Sequence, residues 1–271
     1  MTAITFSNRI DVSAAADTAL KMATRCWFAV AMIGQWAFLY YILAVYGSSS
    51  VRGNFQAWTK NRLLIKGYVP GDTAGNLAFA AHALLAAVIA FGGALQLLPQ
   101  IRKRALAFHR WNGRLFLLTA YGVSITGLYM AWVRGARIST VSAAGTSLNA
   151  VLILVFGALA MRTALTGDVS AHRRWALRTY LAANGQWFIR IGMVAWMILN
   201  RGQDRGFFLF WNFGCYLVPL AVLELYLRVK DRGSSSGRFA MAGGLFVLTV
   251  LMGFGIAGTA AFLWQQVLTK L

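Results

Sequence analysis

The chain has 271 residues, 59% of them hydrophobic and 12% charged, and a formal net charge of +19. A soluble domain is about half apolar and about a quarter charged, so the composition excludes a soluble globule, a disordered chain and a disulfide scaffold. What remains is a polytopic membrane protein, predicted as an all-α transmembrane helix bundle of about seven spans. The Lys and Arg excess falls mostly between the apolar runs. There it meets lipid headgroups, so the bilayer is the expected partner and nucleic acid is not. Cys26 and Cys215 show neither metal spacing nor a disulfide framework.

Residues 1–25 are polar and small, with no cleavage-type signal ahead of the first apolar run. They are predicted to be a cytoplasmic segment lying on the membrane surface or disordered. A helix needs about 20 apolar residues to cross the hydrocarbon core. Seven runs meet that need: 26–46, 77–98, 115–133, 147–165, 179–199, 207–227 and 241–263. The connection 47–76 is the longest, and is expected as a floppy external loop. Trp58 and Tyr68 would sit at headgroup level, and Leu63-Leu64-Ile65 would form a short surface-lying segment. The stretch 233–237, Gly-Ser-Ser-Ser-Gly, reads as a linker. It divides a six-span bundle, 26–232, from a seventh span and external C-terminus, 238–271. Sixteen Lys and Arg flank the spans on one side and nine on the other. By the positive-inside rule the N-terminus is cytoplasmic and the C-terminus external.

The three histidines are His82, His109 and His172. His82 is expected roughly 8 Å inside the outer edge, at 1.5 Å of rise per residue. It heads a small-residue stripe, Ala86, Ala90 and Ala94, that lets another helix approach. His109 and His172 both belong at the inner interface, as the heads of His109-Arg110-Trp111-Asn112-Gly113-Arg114 and His172-Arg173-Arg174-Trp175-Ala176-Leu177-Arg178. Only these two are placed to share a ligand. Asp168 precedes His172 by one helical turn, and a helix cap is favoured over a metal-ligand pair. Glu224 stands four residues before Arg228, a favourable pair within one helix. Arg190 falls mid-span, roughly 13 Å from the outer end, and no acidic residue is expected at its depth. His82, Arg190 and Gln186, with Asn184 near the same level, are expected to line a polar pocket in the outer half of the bundle.

His82, Gly92-Gly93-Ala94-Leu95-Gln96-Leu97-Leu98-Pro99, the two histidine-headed clusters and Arg190 together resemble the bacterial family of predicted membrane proteins called domain of unknown function 2306. The resemblance covers 76–198 and leaves out the first span and the last two. It implies a multi-span bundle in the bacterial inner membrane and no established activity.

Three functions are carried forward. The first is a membrane redox protein. It would hold one b-type haem between His109 and His172, with Arg110, Arg114, Arg173 and Arg178 for the propionates, and would exchange electrons with a quinone. The second is binding of an anionic lipid or lipid-linked phosphate by the Arg/His clusters. The third is a non-catalytic accessory or assembly subunit of a membrane complex. Hydrolytic chemistry is disfavoured, because the chain has no phosphate loop, nucleophile elbow or carboxylate pair within a span.

Overall fold

The computed structural model of the protein describes residues 3–60 and 67–268, with side chains over 12–58 and 67–263. In chain order the elements are α1 (Ala3–Ile42), a π-helical turn (Leu43–Gly47), α2 (Ser48–Val51) and a 3-10 turn (Phe55–Lys60). Then come α3 (Thr73–Gln96), α4 (Pro99–Arg104), α5 (Leu106–Trp132), α6 (Thr140–Leu165), α7 (Val169–Ala183), α8 (Gly185–Leu199), α9 (Phe207–Arg232) and α10 (Ser235–Leu268). No strand occurs among the described residues. Helix is the expected outcome, since a chain in lipid must satisfy its backbone polar groups within each segment.

Six helices are individually long and apolar enough to cross a membrane among the described residues, and α8 is a shorter apolar helix. The run predicted over 179–199 is not one helix: it breaks at Asn184. The two halves still cross together. Arg174 bonds Asp231, Arg178 bonds Glu224, Trp211 Nε1 donates to the Phe188 carbonyl, and Trp196 stacks on Phe207 at 4.4 Å. These partners step forward along α7–α8 and backward along α9. The broken pair therefore runs antiparallel to the whole of α9, making seven crossings.

Three expectations are corrected by packing. α1 begins at Ala3, and Leu20 and Ala23 are buried with Met241, Ala242 and Leu245 of α10. Asp17 accepts from Arg238 at 2.8 Å. The stretch from Val12 to Arg25 is thus a packed helix, because its small residues face α10. The linker shrinks to Gly233 and Ser234, since α10 starts at Ser235 and is docked on α1 and α8. In the long connection, Trp58 is 1% exposed and packs on Phe55, Tyr46 and Phe79. Tyr68 is partly buried against the same cluster. That part is folded onto the bundle; Leu63, Leu64 and Ile65 lie outside the described residues.

Two ends of the bundle can be told apart. The basic end holds His109, His172 and three of the four ion pairs seen among the described residues. At the far end Arg134, 8% exposed, donates to Asp72 at 2.7 Å and to Asn76 at 2.8 Å. Asp72 also caps α3 by accepting from the Gly75 amide. Asn76 in turn binds both backbone groups of Val69. This knot ties the incoming loop to the ends of α3 and α5.

Candidate functional site

The family-type glycines act through what they let approach. Asn112 on α5 donates to the Gly92 carbonyl at 2.8 Å, and a β-carbon at Gly92 would sit 2.9 Å from Asn112 Oδ1. A β-carbon at Gly93 would meet Phe116 at 2.9 Å and Tyr180 at 3.1 Å. Gln96 donates to the His109 carbonyl at 2.7 Å. These groups clamp α3, α5 and α7 at close range, as small residues do in membrane bundles.

At the basic end, His109 and His172 lie within electrostatic range of each other and of Arg102. His172 Nδ1 donates to the Ala160 carbonyl at 2.8 Å, which leaves Nε2 as its lone-pair nitrogen. His109 Nδ1 is buried without a hydrogen-bond partner. Arg110, Arg114 and Arg173 are exposed, with Arg114 over the Trp111 ring. Arg178 is different. Its Nε and Nη2 hold Glu224 at 2.7 and 2.9 Å, and its guanidinium lies over Trp175 at 4.6 Å. The fork expected to take an anion is therefore occupied by a carboxylate. Glu224 pairs across to α7, not along α9 with Arg228, because two planar groups on facing helices can meet at two points. Asp168 caps α7 by accepting from the Ala171 amide at 2.9 Å.

Toward the far end, Arg190 and His82 reach matching depth. Each lies nine residues from the far end of its helix, α8 or α3, about 14 Å by helix rise. His82 is deeper than expected because α3 starts at Thr73. Its Nδ1 lies 3.2 Å from Thr126 Oγ1, whose hydroxyl donates to the Gly122 carbonyl. The His82 ring thus donates from Nδ1, and its Nε2 is the acceptor nitrogen. Arg190 is within electrostatic range of His82, Tyr41 and Tyr46. It donates to the Gln186 carbonyl and lies 5.2 Å over the Phe38 ring. No carboxylate ion-pairs with it among the described residues.

Tyr41 and Tyr46 are residues near the candidate site that the sequence does not single out. They are five apart, so on a regular helix they would diverge. The π turn over Leu43–Gly47 has five-residue hydrogen-bond spacing and brings them to one side. Their rings meet edge to face at 6.1 Å. The spacing Tyr41…Tyr46 is the available signal, but a π turn cannot be read from one sequence.

A small cavity opens beside Arg190 between α1, α8 and α10. It offers ≈ 20 Å³, room for about one water. Gly34, Phe38, Tyr41, Arg190 and Thr259 are among its walls, and the Thr259 hydroxyl is buried without a partner. His82 and Gln186 are not among the lining residues. His82 on α3 is tied to the site only by its electrostatic range to Arg190, and Gln186 by the carbonyl that Arg190 binds. Asn184 serves elsewhere, accepting from Gln35 Nε2 at 2.8 Å.

Fold and site together define a multi-pass integral membrane protein: a helical bundle with a broken inner helix and an arginine carried in mid-crossing. The family model described as Predicted membrane protein (DUF2306) matches residues 79–227, more than half of the chain, and the chain belongs to that family. The match reaches through most of α9, further than the resemblance traced over 76–198. No curated protein and no solved structure matches the chain.

Proposed function

We propose that this protein captures the acceptor-bearing head of a lipid-soluble molecule at Arg190. The observation that carries the reading is a guanidinium in mid-crossing with no carboxylate paired to it among the described residues. A charge at that depth is costly, and such residues serve ligand or ion pathways. Arg190 Nη1 binds a backbone carbonyl, Tyr41 and Thr259 line the cavity beside it, and Tyr46 lies within electrostatic range. Tyr40, 54% exposed, stands at the lipid-facing edge of the cavity. With room for about one water, the cavity would take only a single acceptor oxygen of such a head, its remainder and apolar tail staying outside in lipid. An acidic lipid head and a quinone carbonyl share that chemistry.

The test is mass spectrometry of lipids and quinones extracted from the purified protein, parent against Arg190→Leu and Arg190→Lys. The expected result is one retained species. It should fall at least about tenfold in Arg190→Leu, equivalent to 1.4 kcal/mol, and be partly kept in Arg190→Lys. Equal retention by parent and Arg190→Leu overturns the reading. The identity of the species separates an acidic lipid from a quinone.

A second reading is one b-type haem at the basic end. It is favoured by His172, whose Nδ1 is bonded to a carbonyl and whose Nε2 is thereby oriented, as in metal-binding histidines. A reduced-minus-oxidised absorption spectrum of the purified protein decides it: a b-type band lost in His172→Ala supports it, and no band in the parent ends it.

A further inference from the structure

The break at Asn184 is surrounded by buried polar side chains. Gln35 of α1 is 1% exposed, Tyr180 3%, Asn184 4% and Asn149 of α6 5%. Part of their hydrogen-bonding capacity is used internally. Gln35 Nε2 donates to Asn184 Oδ1, and Asn184 Nδ2 donates to the Tyr180 carbonyl, both at 2.8 Å. Three atoms are left over. Gln35 Oε1, Asn149 Oδ1 and the Tyr180 hydroxyl are all buried and make no hydrogen bond to protein. The Tyr180 hydroxyl is near enough to the Gln35 side chain to feel it, but the two do not meet at hydrogen-bond geometry. Asn149 is drawn in at Gly185, where a β-carbon would stand 2.9 Å from its Nδ2.

Such orphans are rare in an interior, and three at one helix break point to a ligand. Two are amide oxygens, which accept only; the third is a phenol, which both donates and accepts. The complement is a small species with two donors and an acceptor. No member of the cluster is acidic, and Arg190 stands about 9 Å further along α8 by helix rise. That positive charge disfavours a metal cation and leaves neutral water. Buried waters make about three hydrogen bonds to groups of this kind, and helix breaks inside membranes persist where water re-satisfies the polar groups.

We infer that the break between α7 and α8 is an internal water-binding site, held by Gln35 Oε1 and the Tyr180 hydroxyl, with Asn149 Oδ1 as a further acceptor. The site is independent of any ligand at Arg190. Hydroxyl radicals generated by X-ray radiolysis form from bound water and label the side chains beside it. In the intact protein in nanodiscs, Tyr180 should be labelled at least about ten times faster than Met252. Met252 is similarly buried, at 7% exposed, and sits in the apolar core. Gln35→Leu should bring Tyr180 down toward the Met252 rate. A parent in which Tyr180 is labelled no faster than Met252 overturns the site, and no variant need fold for that outcome. Rapid labelling of Tyr180 and Met252 alike also overturns it, since bulk water would then be the source. Unchanged Tyr180 labelling in a folded Gln35→Leu protein removes Gln35 as the holder.

Discussion

A β-carbon on Gly255 would stand 2.5 Å from the carbonyl oxygen of Ile191, so α10 and α8 touch backbone to backbone one residue past Arg190. Backbone cannot yield as a side-chain tip can. Gly255→Ala should therefore push the helices apart and cost about 1–3 kcal/mol, as overpacking does. Gly243 on the same helix has open space where a β-carbon would go, with nothing within 4 Å, so Gly243→Ala should be nearly neutral. Thermal unfolding of the two variants in one detergent compares them. Equal midpoints would show that the contact carries no energy.

The ion pair between Arg178 and Glu224 joins α7 to α9 at two points, with the Arg side chain 16% exposed and the Glu 40%. Solvent reaches the carboxylate, which discounts the pair. Glu224→Gln is expected to cost about 1–2 kcal/mol, given two charge-assisted bonds. The double reversal Arg178→Glu with Glu224→Arg should recover part of the loss. A double-mutant cycle measures the coupling, and a value near zero would leave the pair without structural weight.

Arg134 and Asp72 form the corresponding tie at the far end, with the Arg side chain 3% exposed. Asp72→Ala removes both the carboxylate beside a buried guanidinium and the cap of α3. The expected loss is about 3–5 kcal/mol, the range for breaking a buried pair. Asp72→Asn keeps the cap and separates the two contributions. Denaturation in mixed micelles would show Asp72→Ala well below Asp72→Asn if the cap matters independently.

Seven crossings would put the termini on opposite sides, and the positive-inside rule leads us to expect the N-terminus in the cytoplasm. A reporter active only in the cytoplasm should be bright on Met1 and dark on Leu271. Two bright fusions would mean that α7–α8 turns back without crossing, contrary to its pairing along α9.

Much of this molecule is legible in local sequence. Apolar run length sets the helical membrane class, because lipid offers backbone groups no partner. The cap by Asp168 is likewise a local matter, decided within one turn. The mid-crossing Arg190 is visible too, since a charge in an apolar run needs no structure to stand out. The partnerships were not legible. Arg178 has its own neighbours at one turn's distance, yet the residue that holds it is Glu224, far along the chain. Tyr41 and Tyr46 share a side only through a π turn, and Asn184 interrupts a run whose hydropathy continues across it. Period and composition describe one helix against its solvent. Which faces meet, and which polar atoms are enclosed when they do, is set by close packing between helices, and that exists only in the assembled bundle.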